Sequence, residues 1–286
     1  MKLQFLGTGA AEGVPAVFCN CATCLEIRKR GAREFHTRSQ LVIDGELSVD
    51  FPPDAYHHSL SFGADLSALK YILVTHSHMD HFYAHDFILR GYKYSDGLPK
   101  KKLQIFGNAE VKKVFEECTR RELRADVKEN IEIVELIPFV PVTFGDKGEY
   151  TVFPLKAQHS KTETALLYFL EKNGQTYLHL TDTGRLPKES LDELQAYLNA
   201  KGKFVDFVTF DCTFLFKEAG EVSRHMGLPD NVAMREEFLR REIVSDSTRY
   251  AITHYSHNNQ PFSENLRKAE KEYGVIAAYD GLTIEF

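Results

Sequence analysis

Short apolar runs recur along this chain, and most have the length and composition of strands. They are Leu3–Leu6, Gln40–Asp50, Tyr71–Thr75, Leu103–Phe106, Thr151–Ala157, Ala165–Glu171, Thr176–Thr181, Phe204–Phe210, Tyr250–Thr253 and Val275–Phe286. Each is rich in β-branched, aromatic or aliphatic residues. Between several of them the apolar positions switch to helical spacing. Ala109–Leu123 carries Val111, Val114, Phe115 and Cys118 on one face, and Pro187–Ala200 repeats Leu191, Leu194 and Leu198 after an opening proline. Asn231–Arg241 and Ser263–Tyr273 follow the same rule. No repeat, low-complexity tract or Pro/Ser-rich linker divides the chain. The pattern predicts an α/β protein of two sheets with helices outside, folded as a single domain over residues 1–286.

Composition changes this picture little. The 286 residues are 43% hydrophobic and 27% charged, ordinary for a globular chain with a sizeable core. The net charge of −6 argues against a surface that grips long RNA or DNA by its phosphates, though not against a small anion held at a metal. No run of about 18 apolar residues could span a membrane. The start, Met-Lys-Leu-Gln-Phe-Leu-Gly-Thr-Gly, turns into a Gly-rich loop too early for a signal peptide, so a cytoplasmic location is expected.

The chemistry is concentrated where strands end. Directly after Tyr71-Ile72-Leu73-Val74, residues 75–81 read Thr-His-Ser-His-Met-Asp-His. His76 and His78 lie two apart and face the same way on an extended segment. Asp80 and His81 follow as the chain turns and can reach a second metal beside the first. Imidazole with carboxylate suits Zn, Mn or Fe better than Ca or Mg. Three more ligand-type residues follow apolar strands: His159, Asp182 and His254. A carboxylate has two oxygens and can span two cations, which a neutral imidazole with one free lone pair cannot.

Five cysteines are present, and Cys19, Cys21 and Cys24 form a Cys-x-Cys-x-x-Cys cluster. An odd, clustered set is not a disulfide framework. Three thiolates lack one ligand for a tetrahedral structural zinc, and His257, three residues beyond His254, is the candidate fourth. Cys118 and Cys212 are read as packing residues. His36, His57, His58, His85 and His179 have no identifiable partner and are read as surface or packing groups. Asp211 is either a supporting carboxylate or a solvated strand terminus.

Together these residues resemble the metallo-β-lactamase superfamily, whose hydrolases fold as a four-layer αβ/βα sandwich. Asp50, the His76/His78/Asp80/His81 cluster, His159, Asp182 and His254 occur in that family's order and span most of the chain. The resemblance implies that His76, His78 and His159 bind one metal, that Asp80, His81 and His254 bind a second, and that Asp182 bridges them. It also implies that Asp50 supports the cluster, although Phe51-Pro52-Pro53 follows it where the family commonly has a small residue and Gly.

The lead-in Gly7-Thr8-Gly9-Ala10-Ala11-Glu12-Gly13-Val14-Pro15, the cysteine cluster and the ending Tyr279-Asp280-Gly281-Leu282-Thr283-Ile284 look like a narrower group. They resemble the PhnP-type phosphoribosyl cyclic phosphodiesterases, kin of tRNase Z. In that group the cysteines and a later histidine hold a structural zinc. The resemblance implies two divalent metals (Zn or Mn, with Fe also accepted) and one structural Zn. His225 matches a family histidine placed to protonate a leaving oxygen. The implied reaction is hydrolysis of a small cyclic phosphodiester, such as phosphoribosyl 1,2-cyclic phosphate, by a cytoplasmic enzyme; a homodimer rests on family analogy alone.

Other readings stay open. A tRNase Z-like RNA phosphodiesterase would need a basic, Gly-rich arm, and only Lys100-Lys101-Lys102 forms a compact basic run. A PqqB-like non-catalytic accessory protein shares the cysteine cluster but lacks the full histidine set kept here. A thioester or lactone hydrolase is a further possibility within the same fold.

Overall fold

The structure is a computed structural model that describes residues 1–286. The first half lays down β1 (Lys2–Gly7), β2 (Gln40–Ile43), β3 (Leu47–Val49), β4 (Tyr71–Leu73), β5 (Leu103–Gly107) and β6 (Ile131–Glu135). The second half supplies β7 (Val142–Phe144), β8 (Tyr150–Lys156), β9 (Leu166–Lys172), β10 (Gln175–Leu180), β11 (Val205–Asp211), β12 (Val244–Thr253) and β13 (Ile276–Ala277). The last strand, β14 (Leu282–Glu285), returns to the first sheet beside β1. Two seven-stranded sheets result, ordered β14-β1-β2-β3-β4-β5-β6 and β13-β12-β11-β10-β9-β8-β7.

Burial shows how the layers stack. One apolar cluster lies between the sheets and includes Leu3, Phe5, Leu41, Tyr71, Tyr150, Tyr168, Tyr177 and Phe207. The outer face of the first sheet is covered by α2 (Ala55–Phe62) and α3 (Ala109–Thr119), which close over Ile72, Ile105, Val111 and Phe115. The outer face of the second is covered by α5 (Lys188–Lys201), α6 (Leu228–Arg240) and α7 (Ser263–Tyr273), which bury Leu194, Leu198, Phe238 and Leu266. Two further helices, α1 (Ala22–Arg30) and α4 (Ala125–Lys128), lie at the periphery. This is the expected four-layer sandwich. Strands covered on both faces read as continuous apolar runs, which is why the sequence marks them so clearly.

Some elements differ from the sequence reading. Gln40–Asp50 is not one strand but the hairpin β2–β3, turned at Asp44 and Gly45, both of which have positive φ. Val275–Phe286 is split: Ile276–Ala277 extends the second sheet, and Leu282–Glu285 crosses to the first, with Gly281 at φ 91° in the turn. The edge strands β6 and β7 were not expected, because half-exposed edges mix polar and apolar residues. Helices α1 and α2 were also missed, since neither carries a strong apolar stripe.

The inter-sheet layer carries the fold. Replacing the fully buried Phe207 by Ala is expected to lower unfolding free energy by about 3–5 kcal/mol, measured by urea denaturation. Phe18→Ala, at a fully exposed position, is expected to stay within about 0.5 kcal/mol of the parent.

Candidate metal centre

Strand ends bring the ligand-type residues to one edge of the sandwich. After β4, residues 74–81 turn into the cleft; His159 follows β8, Asp182 follows β10 and His254 follows β12. At Asp50, Asp182 and His254 the backbone adopts φ of 63°, 57° and 67°. Left-handed backbone is uncommon outside glycine and costs on the order of 1 kcal/mol per residue. Here each such residue reverses the chain at a strand end and aims its side chain inward.

Asp182 sits at the centre. Its Oδ2 lies 3.0 Å from His81 Nε2, 3.4 Å from His76 Nε2 and 3.9 Å from His254 Nε2. Its Oδ1 lies 3.1 Å from His159 Nδ1 and 3.2 Å from His225 Nδ1. Asp80 Oδ2 lies 3.1 Å from His81 Nε2, and His76 Nε2 is 2.9 Å from His78 Nδ1. All seven residues expected at the dinuclear site therefore meet. Their donor atoms fall into two compact groups, His76/His78/His159 and Asp80/His81/Asp182/His254.

Neighbouring groups hold several of these rings. Asp50 is fully buried. Its Oδ2 lies 2.7 Å from His81 Nδ1, and its Oδ1 accepts the Thr75 N–H at 2.8 Å. That contact turns His81 Nε2 toward Asp80 and Asp182. Asp211 is likewise buried, with Oδ2 3.1 Å from His254 Nδ1 and 3.3 Å from His225 Nδ1. It is a supporting carboxylate, not a solvated strand end. Thr213, which the sequence reading overlooked, places Oγ1 2.8 Å from His254 Nδ1. The only sequence signal for it was an Asp-x-Thr step directly after β11.

The electrostatics are those of buried carboxylates among imidazoles: burial opposes charge on His81, yet Asp80, Asp50 and Asp182 hold it well above the ordinary histidine value. Burial opposes charge on Asp182, yet His254 and His81 hold its carboxyl well below the usual carboxylate range. Burial pushes His76 well below the ordinary histidine value and lowers His159 as well, leaving both rings with a lone pair to donate. Burial also disfavours charge on His225, but Asp211 and Asp182 raise it to about 9. His81 Nε2, both ring nitrogens of His159, Asp182 Oδ1 and His254 Nε2 are buried without a hydrogen-bond partner. Orphaned donors and acceptors of this kind are costly inside a protein. Their convergence, with nitrogen and carboxylate oxygen in the mix, fits divalent first-row cations.

The cysteine cluster forms a second group. Cys19, Cys21, Cys24 and His257 place their donor atoms within 4.8 Å of one another, and His257 Nδ1 lies 3.5 Å from Cys21 Sγ and 3.4 Å from Cys24 Sγ. Cys21 caps α1, and its Sγ accepts the Cys24 N–H. That bond and His257 pull the Cys21 thiol down to about 6, whereas burial pushes Cys24 up to about 11. The set of three sulfurs and one imidazole fits a tetrahedral zinc. Glu12 joins this group to the cleft: it accepts the Ser256 hydroxyl at 2.7 Å and lies 3.8 Å from His257 Nε2. Among the other histidines, His36, His58 and His179 are buried and, contrary to the sequence reading, have polar partners in Thr8, Gln40 and Tyr177, while His57 and His85 are exposed.

The cleft above the centre has a volume of about 380 Å³ and is walled by Glu12, Phe214, Arg224, His225 and Asn258. Arg224 is exposed and makes no ion pair or hydrogen bond within the chain. A glycine brings its loop into place. A Cβ on Gly184 would stand 1.9 Å from the Ser223 carbonyl oxygen, so only glycine lets the 221–225 segment close on Asp182.

Comparison with known proteins agrees with this architecture. The profile of the Beta-lactamase superfamily domain matches residues 48–244, more than half of the chain. A crystal structure of a diphosphatase from the PhnP family superposes with TM-score 0.71 at 21% identity, covering 100% of this chain and 97% of the other. Zn(2+)-bound PqqB from Methylobacterium extorquens gives 0.70 at 16% identity, with full coverage of both chains. Human tRNase Z, short form, gives 0.63 at 17% identity, covering 100% and 99%. At these identities the likeness is one of fold. A curated octanoyltransferase from Porphyromonas gingivalis is 34% identical over 85 residues, which are 28% of this chain and 16% of that protein, so the likeness to it is local. No helix is long and apolar enough to cross a membrane. Fold and profile agree: the chain belongs to the beta-lactamase superfamily.

Proposed function

We propose that this protein is a hydrolase, a dinuclear metal-dependent phosphodiesterase acting on a small cyclic phosphate such as phosphoribosyl 1,2-cyclic phosphate. The observation that carries this reading is the meeting of two separate donor groups on the one carboxylate of Asp182. His76, His78 and His159 would hold one cation, and Asp80, His81 and His254 the other, with Asp182 between them. Divalent cations bound there would act as Lewis acids on phosphoryl oxygens and neutralise their charge.

The chain's own residues supply the rest. Asp50 and Asp211 fix His81 and His254 through their Nδ1 atoms, which directs each Nε2 inward. His225 Nδ1 is held by Asp211, whose charge favours the protonated ring, so its other nitrogen is available to protonate a departing alkoxide. The unpaired Arg224 guanidinium beside His225 suits an anionic substrate. A PhnP-family diphosphatase and a tRNase Z among the similar folds support chemistry at phosphorus. The acidic balance of the chain favours a small substrate over RNA.

The test is a substrate screen with Mn and Zn against cyclic and linear phosphodiesters, diphosphates, pre-tRNA, lactones and thioesters. Preferential turnover of cyclic phosphodiesters is expected. Cleavage of pre-tRNA alone would move the protein to the tRNase Z type, and no turnover with no bound catalytic metal would make it an accessory protein of the PqqB kind.

Three substitutions check the roles. Asp182→Ala is expected to lower kcat/KM by about 100–1,000-fold or more while circular dichroism stays unchanged. His225→Ala is expected to lower kcat by about 100–10,000-fold with bound metal unchanged; loss of metal would instead make His225 a ligand. Cys21→Ser is expected to remove one zinc per chain and lower the thermal midpoint before it affects kcat. Zinc content and stability equal to the parent would rule out the structural clip.

A further inference from the structure

The supports of the candidate metal positions are unequal. His81 and His254 each have a buried carboxylate at the ring nitrogen that faces away from the centre. His159 has no hydrogen bond at either nitrogen, and the exposed His78 has a single ring hydrogen-bond contact, to His76. Of the three rings only His76 has such a partner, the Thr75 hydroxyl 3.1 Å from its Nδ1, so the His76/His78/His159 position depends largely on where two loops are placed. One loop carries residues 75–81 from the first sheet, and the other carries residues 157–165 from the second.

A single carboxylate spans those two loops. Glu163, four residues beyond His159, accepts the Ser77 hydroxyl at 2.8 Å and the Ser77 backbone N–H at 3.1 and 3.2 Å. Ser77 is the residue between His76 and His78. Glu163 Oε2 also accepts Asn108 Nδ2 at 2.7 Å, and the same Asn108 amide donates to the Thr164 carbonyl at 2.9 Å. Asn108 is anchored in turn, because its Oδ1 caps α3 by accepting the Glu110 and Val111 N–H groups. Beside this contact the Leu166 N–H bonds the Thr75 carbonyl at 2.7 Å. Three elements (the first ligand loop, the start of α3 and the second ligand loop) thus converge on one side chain that touches no ligand ring.

We infer that Glu163 is the positioning residue of the three-histidine metal position, locking His76, His78 and His159 into register across the two sheets. This rests on the reading that these histidines bind a cation. His81, on the same loop, is anchored separately by Asp50, so Glu163 sets chiefly the affinity of the three-histidine position. A residue that merely stabilised the fold would weaken both alike.

The experiment is a cobalt titration of the full chain, read by the d–d absorption of the bound ion and by competition with a chelator, for the parent and Glu163→Gln. The amide keeps the shape but turns a donor toward either Ser77 or Asn108, both of which are donors already. Affinity at the three-histidine position is expected to fall about 10–100-fold, with its spectrum altered. Affinity at the Asp80/His81/His254 position is expected to stay within about three-fold, and the thermal midpoint to drop by only about 2–4 °C. Equal weakening of both positions, or no weakening at either, would overturn the inference. If Glu163→Gln does not fold, Ser77→Ala removes one of the same contacts and is expected to shift the same position in the same direction by less; no shift there would also overturn it. A parent chain that binds no cobalt at the histidine cluster would instead refute the metal centre itself, which separates the two failures.

Discussion

A buried anion organises this protein. Asp182 lies at the end of a central strand, almost without solvent, ringed by His76, His81, His159, His225 and His254. A carboxylate in that setting is costly unless cations or hydrogen bonds compensate it. The surrounding residues are placed as though to meet that demand. Strand ends deliver the imidazoles, and a further ring of carboxylates orients them. The two sheets are needed together, since His76, His78, Asp80 and His81 come from one and His159, Asp182 and His254 from the other.

The same demand explains the unusual backbone. Asp50, Asp182 and His254 all sit in left-handed conformations, one after each of three strands. Such local strain persists only where the surroundings over-determine it, as the packed sheets and hydrogen bonds do here. The loop after β1, which carries Glu12, is tied to the His254 segment by backbone bonds from the Ala10 N–H to the Tyr255 carbonyl and from the Tyr255 N–H to the Thr8 carbonyl. Three residues past His254 the same segment carries His257, so the cysteine group and the histidine-lined cleft share one piece of chain.

What the sequence made legible follows from this arrangement. The His-x-His-x-Asp-His turn and the Cys-x-Cys-x-x-Cys cluster are dense and local, so their chemistry can be read without a fold. His159, Asp182 and His254 were found because each follows an apolar strand, a position that α/β proteins use for function. Glu163, Asn108 and Thr213 were not found. They are ordinary polar residues whose meaning depends on partners far along the chain; Glu163 and Ser77 are 86 positions apart. Asp211 stayed ambiguous because a strand-end aspartate looks alike whether buried or solvated. The Gln40–Asp50 hairpin was read as one strand because its turn interrupts the apolar pattern only briefly.

The claim that one carboxylate joins two cation positions is tested most directly by a crystal structure of the metal-loaded protein with anomalous scattering at the metal edge. The account predicts two ions about 3.5–4 Å apart, with one Asp182 oxygen on each, and a third ion among Cys19, Cys21, Cys24 and His257. A single ion in the cleft, or two ions of which Asp182 touches only one, would contradict it.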